Sequence, residues 1–169
     1  MTEQEASRLL MPESDGTVVV SVSTKPFLAR DHFIVNISQN ALIKVSHLGG
    51  NFRNWFLNKI EEPFATNVLR GCKLCRPSKD GPIIAELGGE KEAETTLTEL
   101  FACMELQAEG KRKPLLTDGH ANVFYVRDSD NLLRAVYIVW YKDGWSVNAY
   151  SIDAASKWSD GSLVFSRVS

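Results

Sequence analysis

The sequence predicts an α+β domain, in which helices pack on one face of a mainly antiparallel sheet of about six to eight strands. Short β-rich segments separated by turn residues occupy both ends of the chain. Two amphipathic helical segments lie between them, and residues 121–168 alternate as successive strands joined by short turns. No linker-like stretch divides the 169 residues, so we expect a single α+β domain over residues 1–169, with residues 1–16 as a candidate mobile segment.

The first strands are predicted from alternating apolar and polar residues. Residues 17–23 place Val18, Val20 and Val22 on one side, as in a half-buried strand. Residues 32–38 and 42–48 are two further β-rich segments, and Gln39-Asn40 between them indicates a hairpin.

Two helices are predicted from apolar residues repeating at helical spacing. Over residues 52–61, Phe52, Phe56 and Ile60 recur every four positions, and Asn51 is expected to cap the start. Residues 90–109 carry a longer apolar stripe, and their first turn is rich in glutamates, which the helix dipole favours there.

The segment between these helices predicts two shorter strands. Residues 67–76 are rich in β-forming residues, and PSKDGP at 77–82 is typical of a turn. Residues 83–87 then read as a short strand that Gly88-Gly89 ends.

The C-terminal third predicts a β-meander rich in tyrosine and tryptophan. Its expected antiparallel strands are residues 121–127, 132–141, 145–152 and 162–168. All four tyrosines lie in this segment. Asp143-Gly144, between two β-rich segments, predicts a two-residue hairpin loop.

That loop sets a register with Tyr137 opposite Tyr150, and hence two different faces. One face is apolar and is expected to be core: Val136, Ile138, Trp140, Val147 and Ala149. The other face carries Tyr137, Tyr141, Ser146, Asn148 and Tyr150. Tyr, Ser and Asn are residues that contact surfaces use, although tyrosines paired across strands also stabilise sheets.

Composition narrows the class of protein but names no reaction. The formal net charge is -2, and no apolar segment reaches the length of about 18 residues that spans a bilayer. The acidic start of the chain lacks a secretory signal pattern, and the cysteines number three. We therefore expect a cytoplasmic protein with free thiols and no membrane partner.

The leading functional hypothesis is a non-enzymatic binding or adaptor protein that uses Tyr137, Tyr141, Asn148 and Tyr150. The partner would be another protein, or a second copy of the chain in a homodimer. No cofactor is expected, because no phosphate-binding or dinucleotide-binding fingerprint is present.

Two alternative functions stay open. Asp118 and His120 are candidate catalytic residues of a small enzyme or ligand-binding domain with its pocket near them. A nucleic-acid-associated protein is the other alternative, and its contacts would come from a basic run. That run contains Arg70, Lys73, Arg76 and Lys79.

The sequence does not predict a metal site. Cys72 and Cys75 have the spacing of half a zinc site, but the four ligands that a structural zinc needs are not in evidence.

Overall fold

The computed structural model describes residues 8–21 and 24–168 of the chain. The strands are β1 (Leu10–Val20), β2 (Phe27–Leu28), β3 (Val45–Leu48), β4 (Ile60–Glu61), β5 (Asn67–Leu74), β6 (Glu94–Thr95), β7 (Asn122–Arg127), β8 (Leu133–Tyr141), β9 (Gly144–Ser151) and β10 (Leu163–Arg167). The helices are α1 (Ala29–His32), α2 (Gly50–Phe56), α3 (Asp80–Leu87), α4 (Glu90–Ala93) and α5 (Leu97–Ala108).

The predicted α+β class is confirmed, and the main sheet is mixed: most of its pairings are antiparallel, as predicted, but it is not purely so. Its strand order is β1-β5-β10-β7-β8-β9-β3. The short strand β6 lies off this path and pairs with β7. Three of its pairings are parallel: β10 with β7, β3 with β9, and β6 with β7. Together with the separate ribbon of β2 and β4, the described residues form more strands than predicted.

Both faces of the main sheet are covered over much of its area. Phe52 of α2 and Leu100 of α5 join Phe124 and Phe165 of the sheet in one apolar cluster. Ile83 of α3 belongs to the cluster on the opposite face. The two expected helical segments do pack on one face through α2 and α5, but α3 and α4, the latter from the start of segment 90–109, cover the other.

The N-terminal strand is longer than the sequence indicated. β1 begins at Leu10, so residues 10–16 of the candidate mobile segment belong to a strand, and residues 1–7 lie outside the described part. Residues 22 and 23 of the predicted strand 17–23 also lie outside it. The register between β1 and β5 shifts between Pro12 and Thr17. The strand therefore continues through residues 14–16, where the sequence predicts a turn.

The hairpin predicted over residues 32–48 is reduced to one bridge, between Asn36 and Val45. Phe33 turns into the core, while Ile34 and Val35 remain exposed, so this segment cannot alternate as a strand. Val45–Leu48 instead pairs in parallel with β9.

The predicted strand 83–87 is wrong, because these residues belong to helix α3. The helix begins at Asp80, inside the predicted turn, and Gly88 ends it with a left-handed φ of 110°. Ile83 and Ile84 are buried, and a short apolar segment of this kind fits a helix as well as a strand.

The predicted helix 90–109 is interrupted at Glu94–Thr95, where β6 pairs with β7. Thr96 then starts α5 with a capping box: its hydroxyl accepts from the Glu99 N–H, and the Glu99 carboxylate accepts from the Thr96 N–H. The two β-branched residues before α5 therefore separate two helices.

The predicted helix 52–61 is shorter, running from Gly50 to Phe56. Asn51 lies inside it rather than at its cap, and its side-chain amide donates to the carbonyl of Ala149, 2.9 Å away.

The meander is confirmed for β7, β8 and β9 but is wrong for the fourth strand. β10 crosses back to lie between β7, which it pairs in parallel, and β5, which it pairs in antiparallel fashion. A helix long and apolar enough to cross a bilayer does not occur in the described ranges.

Candidate functional site

Strands β8 and β9 bring the predicted tyrosines together on one side of the sheet. Tyr137 lies opposite Asn148, and Ala135 lies opposite Tyr150. The register differs by two residues from the prediction, because the loop is Lys142-Asp143 rather than Asp143-Gly144. Since side chains alternate with a period of two, this shift leaves both predicted faces intact.

The side of β8 and β9 that carries the tyrosines is partly open to solvent. Tyr141 is 64% exposed and Tyr150 is 43% exposed, whereas Tyr137 is half-buried. Asn148 lies beside them, and its amide donates to the hydroxyl of Ser146 at 3.0 Å. Trp158, from the loop that follows β9, packs against Tyr137 and Tyr150. We call the surface formed by these side chains the aromatic face: Tyr137, Tyr141, Asn148, Tyr150 and Trp158.

Ring contacts hold three members of the aromatic face in fixed positions. The Tyr137 and Tyr150 rings stack with centroids 5.2 Å apart, and the edge of Trp158 meets Tyr137 at 4.9 Å. The Tyr150 and Trp158 rings are 6.4 Å apart and tilted by 41°. Such arrangements lie within the favourable range for aromatic pairs.

The position of Trp158 is fixed by the start of α3. Its backbone forms an antiparallel bridge with Ser78, with hydrogen bonds of 2.8 and 3.1 Å. Its indole Nε1–H donates to the Oδ1 atom of Asp80 at 2.6 Å. The long loop between β9 and β10 is thereby tied to the first turn of α3.

Asp80 is a buried carboxylate, with only 2% of its surface exposed. Its Oδ1 atom also accepts a hydrogen bond of 2.7 Å from the hydroxyl of Tyr125, while Oδ2 accepts none from the described residues. Burial raises the pKa of Asp80, against the opposing effect of its hydrogen bonds with Trp158 and Tyr125. Within the described part of the chain, it forms no ion pair with a lysine or arginine.

A small cavity lies where Asp80 meets the aromatic face. Its volume is about 60 Å³, room for roughly four water molecules. It is lined by Asp80, Tyr150, Ala154, Ser156, Lys157 and Trp158. One acidic, two aromatic and one serine residue therefore lie around one small pocket that is partly open to solvent.

Asp118 and His120 are close to each other but do not line this cavity. The imidazole Nδ1 lies 3.1 Å from Asp118 Oδ1, outside hydrogen-bond geometry. The His120 backbone N–H donates to the Asp118 carboxylate and is the main reason that the pKa of this exposed acid is lowered. The ring of His120 packs against Gly161, so the pair helps to shape two neighbouring turns.

The residues of the basic run do not form one surface. Arg70 and Lys73 are an odd number of residues apart in β5, so they lie on opposite faces of the sheet. Lys73 is 3.8 Å from Glu13, and the Arg76 guanidinium donates to the carbonyl of Arg8. Lys79 immediately precedes α3.

Arg70 lines a second cavity, of about 600 Å³, together with Arg8 and Arg167. Arg167 is already paired with Glu99 at 2.9 Å, and that carboxylate is fully buried. The groove also contains Glu86, which accepts from the backbone N–H groups of residues 9 and 10.

The three cysteines are unlinked thiols in different surroundings. Cys72 and Cys103 are buried and Cys75 is exposed. The described residues contain no group of three or more His, Cys, Asp or Glu side chains placed to hold a metal ion.

Sequence reasoning placed the tyrosines on one face but missed Asp80 and Trp158 as its partners. The sequence predicts a turn at Asp80, although an acidic residue just before Gly-Pro is also typical of a helix start. Trp158 lies in an irregular loop, where no periodic pattern indicates which way a side chain points.

The chain matches no family model, and no curated protein or solved structure is significantly similar to it.

Proposed function

We propose that the protein is a non-enzymatic binding module that holds another protein against the aromatic face. The observation that carries the proposal is the exposure of Tyr141 and Tyr150 on a sheet whose neighbouring areas are covered by helices. Large aromatic side chains left in contact with water on one surface are typical of interaction sites.

The composition of the aromatic face fits a protein contact. Tyrosine and tryptophan offer large apolar area together with a polar group, at a small cost in side-chain entropy. Asn148 and Ser146 add hydrogen-bonding groups between the rings. Because ring contacts fix Tyr137, Tyr150 and Trp158 beforehand, little ordering is required when a partner binds.

The exposed Cys75 supports a cytoplasmic location for this module, because exposed free thiols persist in reducing compartments. The partner is accordingly sought among cytoplasmic proteins. Self-association through the same face is a separate outcome, which sedimentation of the purified protein detects.

The proposal is tested by photo-crosslinking followed by measured affinity. A photoreactive p-benzoylphenylalanine replaces Tyr141, or Val19 as the control. Val19 is 58% exposed and lies in β1, at the far end of the strand order from β9. A partner that crosslinks from position 141 is identified, purified and titrated against the wild-type protein.

The combined change Tyr141→Ser and Tyr150→Ser is expected to weaken that affinity about tenfold or more, because exposed aromatic residues dominate such contacts. Val19→Ser should leave it unchanged. Equal crosslinking from position 19, or equal affinity of the double variant and the wild type, contradicts the proposal.

A further inference from the structure

Asp80 lies in the first turn of α3, where the helix dipole favours its charge, but it is buried and no lysine or arginine of the described residues pairs with it. A neutral asparagine could accept the same two hydrogen bonds from Tyr125 and Trp158 through its carbonyl oxygen. A buried carboxylate without an ion-pair partner instead pays for desolvation in its charged form. Groups of this kind concentrate where a protein binds a ligand or carries out chemistry.

The cavity beside Asp80 supplies what a positively charged ligand group needs. Tyr150 and Trp158 both line it, and the faces of such rings attract cations. The carboxylate lies at the same cavity, and Oδ2 accepts no hydrogen bond from the described residues. Ser156, which carries a hydroxyl group, is also among the lining residues.

We infer that this cavity takes the ammonium group of a lysine side chain, presented by the protein that binds the aromatic face. The inference rests on the proposed function and specifies one contact within it. The aliphatic part of the lysine would lie along Tyr150, and the ammonium would enter beside Trp158 and face Asp80.

Size and shape favour lysine as the occupant. A volume of about 60 Å³ accommodates a compact ammonium better than the wide, planar guanidinium of arginine. A long apolar stem is also needed, because the carboxylate is buried while the aromatic face is at the surface. The ammonium has three donors, which match the oxygens of Asp80 and Ser156.

The protein's own Lys157 lines the cavity and is the internal competitor. Its side chain is exposed and forms no ion pair with Asp80. Replacing it by Lys157→Gln should therefore leave the affinity for an added lysine unchanged or increase it.

The test follows the indole N–H of Trp158 by nuclear magnetic resonance, with Trp158→Phe to assign the signal. This proton donates to Asp80, so it reports directly on the cavity. The probes are Nα-acetyl-lysine N-methylamide and its neutral Nε-acetyl derivative, each titrated at constant ionic strength. A single such contact corresponds to a Kd near the millimolar range, so the titration extends to about 100 mM.

We expect a saturable shift with the charged probe and binding of the neutral probe weaker by about tenfold. Asp80→Asn should remove this preference. Asp153→Asn is the matched control, because it removes an exposed carboxylate from the adjoining loop and should preserve the preference.

Equal shifts with both probes, or no saturable shift with either, overturn the inference. Both outcomes are measured on the wild-type protein and do not depend on the stability of the variants. Either result leaves the crosslinking from position 141 unaffected. Loss of that crosslinking would instead overturn the proposed function, so the two failures are distinguishable.

Discussion

At the residue scale, Asp80 connects the stability of the protein with its proposed contact. It ties the loop carrying Trp158 to α3 and to Tyr125 of β7 through two short hydrogen bonds. The same burial that makes those bonds possible disfavours its charge. The residue therefore stabilises the position of the loop while leaving an acid available to a cation.

Asp80→Asn is expected to raise the free energy of unfolding at neutral pH. The pKa of Asp80 is higher in the folded than in the unfolded protein, so the folded state binds the proton more tightly. The contribution of Asp80 to the wild-type free energy of unfolding therefore decreases as the pH rises from the ordinary aspartate pKa, about 3.9, through the raised pKa. At pH values above the raised pKa, Asp80 is charged in the folded protein, and the desolvation of this charge lowers the free energy of unfolding. Asparagine carries no charge and avoids this loss.

The measurement is the difference in the free energy of unfolding between wild type and Asp80→Asn, from urea titrations between about pH 3.5 and 8. The difference should grow with rising pH and then level off. Asp153→Asn, which removes an exposed carboxylate from the adjoining loop, is the control variant. An Asp80→Asn protein that is less stable than wild type at neutral pH would refute this account of the residue.

The thiols give a second prediction at the residue scale. Burial raises the pKa of Cys72, and it raises the pKa of Cys103 to about 12, so both are protonated and shielded at neutral pH. Cys75 is exposed. A thiol-reactive disulfide reagent should modify Cys75 rapidly in the native protein and the other two only after unfolding; rapid native modification of Cys103 would contradict the described burial.

At the element scale, the first turn of α5 determines where this helix begins and separates it from α4. Sequence periodicity extended one helix over residues 90–109, because Ala93 and Leu97 fit one apolar stripe. The local signal that separates α4 from α5 is the pair Thr96 and Glu99, which has the spacing of a capping box. That spacing is visible in the sequence, but the pairing of residues 94 and 95 with β7 depends on a distant strand.

Glu61 also stabilises this turn from outside the helix. Its carboxylate accepts hydrogen bonds from the backbone N–H groups of Leu97, at 2.9 Å, and Thr98, at 2.8 Å. Glu61→Ala leaves these two donors unpaired and should lower the free energy of unfolding by about 1–3 kcal/mol. Urea unfolding measures the loss.

The neighbouring Glu62 provides the control for that change, because its side chain is exposed. Glu62→Ala should stay within about 0.5 kcal/mol of wild type, as is usual for surface substitutions. If the two alanine variants are equally stable, Glu61 does not cap α5.

At the scale of the whole molecule, local patterns predicted the hairpins of the C-terminal third but not the pairing of strands that are distant in the chain. The hairpins β7-β8 and β8-β9 are joined by short turns, and the two faces of β8 and β9 followed from alternation along those strands. β10 follows a long loop, and its place between β5 and β7 depends on contacts that no turn signal encodes. Parallel pairing of β3 with β9 was equally invisible, because the two strands are far apart in the chain.

The candidate site likewise contains residues that local sequence patterns predicted and residues that they did not. Alternation put Tyr137 and Tyr150 on one face even though the predicted register was shifted by two residues. Asp80 and Trp158 joined them only through tertiary packing of a helix and an irregular loop. The aromatic part of the site was therefore predictable from the sequence, and the carboxylate beside it was not.

Footprinting of the tyrosines in the complex tests the central claim most directly. Nitration with tetranitromethane is quantified at each tyrosine, with and without the partner identified by crosslinking. Tyr125 is fully buried and serves as the internal control in both samples. The proposal predicts that Tyr141 and Tyr150 react in the free protein and are protected in the complex, whereas equal modification of both residues in the two samples would show that the partner binds elsewhere.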